Sequence, residues 1–306
     1  MGKFIIKRFI QMFVTLYLVV TATFFLMHAI PGGPFTREKP LPPAVIAALE
    51  AKFKLDQPLY VQYLDYMKGV FTFDFGPSFQ KVGLDVTDLI MEGLPASAKI
   101  GGAAVILVLV VGIPLGMISA LKRNKWQDYI VTFIATLGVT IPSFVVATLI
   151  IYIFSAKYGI LPAFGLKTWK HYVGPVLALG GFSLAFVARL TRSSMLEVLQ
   201  QDYIRTARAK GISEFVVIGK HALKNALIPV VTYVGPMIAS ILTGSFVIEK
   251  IFAIPGMGKY FVESVGNRDY TVIIGVTVFY AAFYIIMVFL VDIIYGLIDP
   301  RIKLKD

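Results

Sequence analysis

Six stretches of apolar residues, spanning 9–30, 98–120, 129–155, 173–190, 228–248 and 271–298, set the rhythm of the chain. A helix needs about 20 such residues to cross a hydrocarbon core of about 30 Å, where the backbone must satisfy its own hydrogen bonds. The pattern predicts an all-α polytopic membrane protein with six transmembrane helices. Lys3, Lys7 and Arg8 precede the first stretch as they would in a signal peptide. At about 22 residues it exceeds a signal core, and no small-x-small site follows, so it is expected to remain as an anchor. The fourth stretch is the shortest and carries Gly180, Gly181 and Ser183.

The polar intervals divide the chain into 1–30, 31–97, a core at 98–298 with a loop at 191–227, and a tail at 299–306. Within 31–97, Pro42 and Pro43 open a short helix through Phe53, and Asp56-Gln57-Pro58 reads as the start of a second. Leu59, Tyr63, Tyr66, Met67 and Val70 give that second helix one apolar face. A third is expected from Asp85 to near Gly93, and the whole forms a small extracytoplasmic helical region against the outer mouth of the bundle. In the loop 191–227, Leu196, Leu199, Tyr203 and Ala207 fall on one helical face and Gln201, Arg205 and Arg208 on another. Gly211 is expected to stop this amphipathic helix in a left-handed conformation, with Lys210 at the negative end of the helix dipole. Ser213 and Glu214 then open a second helix through His221. The two make a compact knob.

Lys and Arg fix the orientation, because positive residues accumulate in short cytoplasmic loops. With the N-terminus inside, 16 fall in cytoplasmic segments: Lys3, Lys7, Arg8, Lys122, Arg123, Lys125, Arg189, Arg192, Arg205, Arg208, Lys210, Lys220, Lys224, Arg301, Lys303 and Lys305. Six fall in the two short outer loops: Lys157, Lys167, Lys170, Lys250, Lys259 and Arg268. Both termini and the knob are therefore expected in the cytoplasm. The net charge of +11 follows from the same asymmetry and calls for no nucleic acid. At 57% hydrophobic and 15% charged residues, with mean hydropathy +0.78, the 306-residue chain excludes a soluble enzyme. It has no Cys, so thiolate chemistry is also excluded.

No catalytic constellation emerges. His28, His171 and His221 stand apart and belong to no metal-binding motif. Gly181-Phe182-Ser183-Leu184-Ala185 lacks the last glycine of a nucleophile elbow. Gly219-Lys220 and Gly258-Lys259 lack the remainder of a phosphate-binding loop, so the chain binds no ATP through one of its own. Asp292 is the acidic residue deepest in a span, where a basic partner or water is expected to balance its charge. Gly112-x-x-x-Gly116 permits close helix approach, and Pro142, Pro175, Pro229 and Pro236 permit kinks. An intramembrane enzyme would need a buried catalytic pair, which the sequence does not display.

The string Asp202-Tyr203-Ile204-Arg205-Thr206-Ala207-Arg208-Ala209-Lys210-Gly211, followed by His221-Ala222-Leu223-Lys224 and then Ile228-Pro229, resembles the cytoplasmic loop of binding-protein-dependent ABC importer permeases. That motif runs Glu-Ala-Ala, three residues, Gly, nine residues, Ile-x-Leu-Pro. Arg205-Thr206-Ala207 stands for its Glu-Ala-Ala, Gly211 for its Gly and His221-Ala222-Leu223-Lys224 for its ending, a variant similar to the peptide-importer branch. Glu249 to Gly258, Asn267-Arg268-Asp269-Tyr270 and Asp299-Pro300-Arg301-Ile302-Lys303 resemble the same branch, while Pro31-Gly32-Gly33-Pro34-Phe35 and Asp74-Phe75-Gly76-Pro77-Ser78-Phe79 are similar to its oligopeptide B-type subunits rather than the C-type. The resemblance implies a non-catalytic subunit in a bacterial plasma membrane, among lipid, that imports oligopeptides. Its implied partners are a second homologous permease, two cytoplasmic ATPases that bind ATP and Mg, and an extracytoplasmic peptide-binding protein. It also implies that Tyr203, Arg205, Thr206, Ala207, Arg208, Ala209, Lys210 and Gly211 couple the permease to an ATPase. Dipeptides, nickel or a chelate, or glycan fragments stand as alternative cargoes, and the path is expected to be lined by small, aromatic and weakly polar side chains.

Overall fold

The computed structural model describes residues 2–31, 33–35, 42–81, 83–242 and 246–298. The expected tail 299–306, with Arg301, Lys303 and Lys305, and the expectation on Gly32 lie outside the described residues. In chain order the helices are α1 (Gly2–His28), α2 (Pro43–Lys52), α3 (Leu59–Thr72), α4 (Val86–Leu121), α5 (Trp126–Thr140), α6 (Ser143–Lys157), α7 (Lys170–Leu199), α8 (Asp202–Ala209), α9 (Glu214–Ala226), α10 (Ile228–Leu242), α11 (Phe246–Ile251), α12 (Met257–Asn267) and α13 (Tyr270–Ile298). Among the described residues the regular structure is helical, apart from an isolated antiparallel bridge between Pro77 and Asp85. The fold is all-α and polytopic.

Four helices, α1, α4, α7 and α13, are each long and apolar enough to cross a membrane, and the number rises to six if two bent pairs each count as one span. The third expected span, 129–155, is one of those pairs: α5 and α6 meet at 107°. Pro142 explains the break, since it brings no N–H and drives Ile141 out of the helical region, to φ −84° and ψ 124°. The other pair is α9 with α10, bent by 53° just before Pro229. Of the fifth expected span, 228–248, α10 covers Ile228–Leu242 and α11 begins at Phe246. The fourth extends, α7 running on to Leu199.

In the outer region α2 and α3 lie where the prolines put them, but Pro58 occupies the N-cap of α3 and no side chain caps it, so Asp56 does not. The expected third helix is absent as a separate unit. Its residues form the N-terminal end of α4, and Gly93, expected as its end, lies inside that helix. Only glycine fits there: a Cβ would stand 2.7 Å from the Met257 nitrogen. The apolar face of α3 packs along α1, with Tyr63 and Tyr66 at 5.4 and 5.8 Å from the Phe24 ring and the Tyr63 hydroxyl 2.8 Å from that of Thr21. Between α1, α3 and α13 lies an apolar groove of about 420 Å³ walled by Phe13, Tyr17, Val70, Phe73, Phe75 and Phe279.

The chain folds back so that its first and last helices run antiparallel. Arg8 and Asp292 form an ion pair at 3.2 Å and the Phe9 and Phe289 rings lie 6.2 Å apart, which places the start of α1 and the end of α13 on one side. Asp292 thus has a basic partner. At the centre, α4 and α7 touch at Gly112 and Gly116. A Cβ at Gly112 would meet the Leu184 oxygen at 3.2 Å, and one at Gly116 would collide with the Ala188 oxygen. The small-residue spacing therefore serves backbone approach. Of the strings around Glu249 and Asp269, each forms a clasp on the opposite side of the bundle. Glu249 accepts the Gly258 N–H at 2.7 Å at the start of α12. Asp269 accepts the Ser78 hydroxyl at 2.5 Å and the Phe79 N–H at 3.1 Å, pinning the segment before α4 to the start of α13.

Candidate functional site

The helix expected to run unbroken through 191–210 is interrupted at Gln200 and Gln201, so Leu196 and Leu199 belong to α7 while Tyr203 and Ala207 belong to α8. Across this corner the buried face of α8 is Ile204 and Ala207 rather than Tyr203, which is exposed. Ile204 is fully buried, against Met195 of α7, Ala120 of α4, and Val217, Ala222 and Ala226 of α9. Short side chains at 207, 222 and 226 let four helices converge on this small core. The knob is therefore an outgrowth of α4 and α7.

Gly211 has φ +74° and closes α8. Its N–H donates to the Arg208 carbonyl at 2.9 Å, and the Ile212 N–H donates to the Ala207 carbonyl at 3.3 Å. These are the two bonds of a Schellman cap, which needs a residue in the left-handed region where a Cβ is penalised. Nothing lies within 4 Å of the position a Gly211 Cβ would take, so the requirement is conformational rather than steric.

Two side-chain links hold α8 against α9. The Arg208 guanidinium straddles Glu214, Nε to Oε1 at 2.6 Å and Nη2 to Oε2 at 3.3 Å. Arg208 beside it holds the Glu214 carboxyl below its ordinary value of 4.5, and the same hydrogen bond raises the guanidinium. Asn225 Nδ2 donates to the Tyr203 hydroxyl at 2.8 Å. Arg205 pairs loosely with Asp202 at 3.5 Å, both fully in solvent. The outward surface of α8 presents Tyr203, Arg205, Thr206, Arg208, Ala209, Lys210 and Gly211 together; Ala207 faces inward.

Sequence reasoning missed Phe215, which is 87% exposed beside Glu214 at the start of α9. No period marks it. Its signal is an aromatic residue two positions after the N-cap Ser213, at a point where a helix emerges from a polar turn. A second exposed surface runs along α7, where Phe182, Phe186 and Arg189 share one stripe. The Phe186 ring lies 4.4 Å from that of Tyr233 on α10, whose own exposed positions include Thr232, Pro236 and Ser240.

Comparison with known proteins adds five findings. Residues 112–304 match the family described as "Binding-protein-dependent transport system inner membrane component". Residues 1–101 match the description "Binding-prot-dependent transport system membrane comp, N-term". The dipeptide transport system permease protein DppB of Bacillus subtilis is 53% identical, over 99% of this chain and 99% of that protein. The oligopeptide transport system permease protein OppB of Salmonella typhimurium is 44% identical, over 99% of this chain and 100% of that protein. Among solved structures, the inward-facing MetNI methionine ABC transporter aligns with a TM-score of 0.56 at 20% identity, over 69% of this chain and 96% of that chain, a likeness of fold.

Proposed function

We propose, for a chain that belongs to the family of binding-protein-dependent transport system inner membrane components, that it is the transmembrane permease subunit of an ATP-driven ABC importer of peptides. The observation that carries the reading is the knob. The motif glycine of the family's cytoplasmic loop falls at Gly211, and there it closes a short helix whose outer face is cationic and exposed.

In this reading the knob enters a groove on a cytoplasmic ATPase. Tyr203, Arg205, Thr206, Arg208, Ala209, Lys210 and Gly211 form the contact, and Phe215 extends it onto α9. Two ATPases hold ATP and Mg, and this chain contributes no catalysis. A second homologous permease completes the pathway and an extracytoplasmic binding protein delivers the cargo. Both termini lie in the cytoplasm, as the Lys and Arg distribution argues.

The exposed stripes of α7 and α10 suit the cargo path. Pro236 brings no N–H to the Thr232 carbonyl, and Arg189 is a cation, so this face matches water and a polar cargo better than lipid. Aromatic rings and hydroxyls would serve peptides of varied sequence. A photoreactive peptide should cross-link at Phe182 or Phe186; labelling confined to α1 would place the path elsewhere. A relative named for dipeptides and one named for oligopeptides both match over nearly their whole length, so peptide length is a matter for the loaded binding protein.

Purification tests the assembly. The tagged chain should bring with it a homologous permease and two ATPases in equal proportion, and recovery of the chain alone after mild extraction would count against the reading.

A further inference from the structure

We infer that Asp128 and Arg192 form the joint through which movement of the knob reaches α5, and so act as positioning residues for transport. The inference rests on the reading that the knob docks an ATPase. Asp128 lies in the first turn of α5 and is 3% exposed. Arg192, on α7, donates through Nε to Oδ1 at 2.7 Å and through Nη2 to Oδ2 at 2.8 Å. The Ser119 hydroxyl of α4 donates to Oδ1 at 2.5 Å, the Asn124 N–H donates to Oδ2 at 3.0 Å, and Thr132 Oγ1 lies 3.5 Å from Oδ1. One carboxylate thus fastens three helices at the end of the bundle that carries the knob.

Where this clamp sits gives it a role. Ala120, next to Ser119, and Met195, one turn beyond Arg192, are buried in the knob's core. Among the described residues that core takes side chains from α4, α7, α8 and α9 but none from α5. Beside the knob, α5 is held by the Asp128 carboxylate. Farther along, it rests on α7 by close approach, a Cβ at Gly138 falling 2.8 Å from that of Ala185, and it ends in the 107° bend at Pro142. α5 is a lever fixed at the knob by an ion pair and ending in a hinge.

The choice of chemistry supports this over simple bracing. Arg192 is part-exposed while Asp128 is buried, and an ion pair with a buried partner is a poor stabiliser, because desolvation offsets much of the Coulombic gain. A two-pronged guanidinium–carboxylate contact differs from apolar packing in being directional: its two parallel hydrogen bonds fix register, so α5 cannot slide past α7 without losing both. Such a contact transmits displacement. A static brace would need no such directionality.

The test uses the complete importer in proteoliposomes, with Arg192→Met, Asp128→Asn and Arg192→Lys. The first two should assemble and hydrolyse ATP in response to loaded binding protein while peptide delivered per ATP falls about tenfold, the scale on which residues along a coupling path act. Arg192→Lys, which keeps the charge but not the fork, should fall between. An unchanged ratio of peptide to ATP, or equal loss of both activities, overturns the joint. In case the variants do not assemble, spin labels at Thr136→Cys and Ser213→Cys, in a chain that has no native cysteine, report on the intact clamp. Their separation should stay constant when ATP is trapped, and a change in it overturns the joint. Absence of ATP-driven uptake by the unaltered importer would instead remove the functional reading itself.

Discussion

Arg208 and Glu214 meet across the turn at Gly211, with Arg208 Nε 2.6 Å from Glu214 Oε1, so the end of α8 and the start of α9 are tied by charge as well as by backbone. Because Arg208 holds the Glu214 carboxyl below 4.5, the pair is intact above the ordinary carboxylate range and is lost only as pH falls through the lowered value. Glu214→Gln should therefore reduce coupled ATPase activity by the same factor at pH 6 and pH 8. An effect of the substitution that fades between those two values would show that Glu214 titrates there.

Gly211→Val places a β-branched residue at φ +74°. The left-handed conformation should cost ~1 kcal/mol or more, with the Schellman cap strained and the knob displaced. The variant should insert in the membrane in normal amount, as read by blotting of membrane fractions, and transport should fall sharply. Normal transport by an assembled Gly211→Val complex would remove the knob's assigned role.

Phe215 is the most exposed of the knob's large apolar side chains among the described residues. If it fills a pocket on the ATPase, Phe215→Ala should weaken association by about 2 kcal/mol, roughly thirtyfold in Kd, as aromatic anchors at the centre of interfaces do. Binding of the purified ATPase to permease in nanodiscs reads this directly. Unchanged affinity would mean that Phe215 lies outside the contact.

Cysteine labelling tests the orientation, since the chain has no Cys to interfere. Lys81→Cys, beside the Asp269 clasp, should react with a membrane-impermeant maleimide in intact cells, and Ser213→Cys only after permeabilisation. The reverse pattern would put the knob outside.

The sequence made the architecture legible where burial imposes a simple period, and less so where pairing between distant residues decides. The apolar stretches fall on the four described helices long enough to cross a membrane and on both bent pairs, and Gly211 showed its conformation because a helix stop followed by Ser213 and Glu214 has few other readings. Pro142 was visible as a kink but not as a 107° turn, since the angle depends on how α6 packs rather than on the proline itself. Asp128 carried no signal at all. It reads as an ordinary acidic residue in a helix's first turn, and its partners lie nine residues back and 64 residues on. One straight helix through 191–210 would place Tyr203 on the same apolar face as Leu196, Leu199 and Ala207, whereas the corner at Gln200 turns α8 so that Ile204 is buried instead.

The most direct measurement of the central claim is uptake of a labelled peptide into proteoliposomes that hold this chain with its copurified partners, with ATP inside and loaded binding protein outside. The account predicts accumulation that requires ATP, the binding protein and this chain together, and that falls away in Gly211→Val although the complex remains assembled. Uptake that persists without ATP, or that Gly211→Val leaves unaltered, would contradict it.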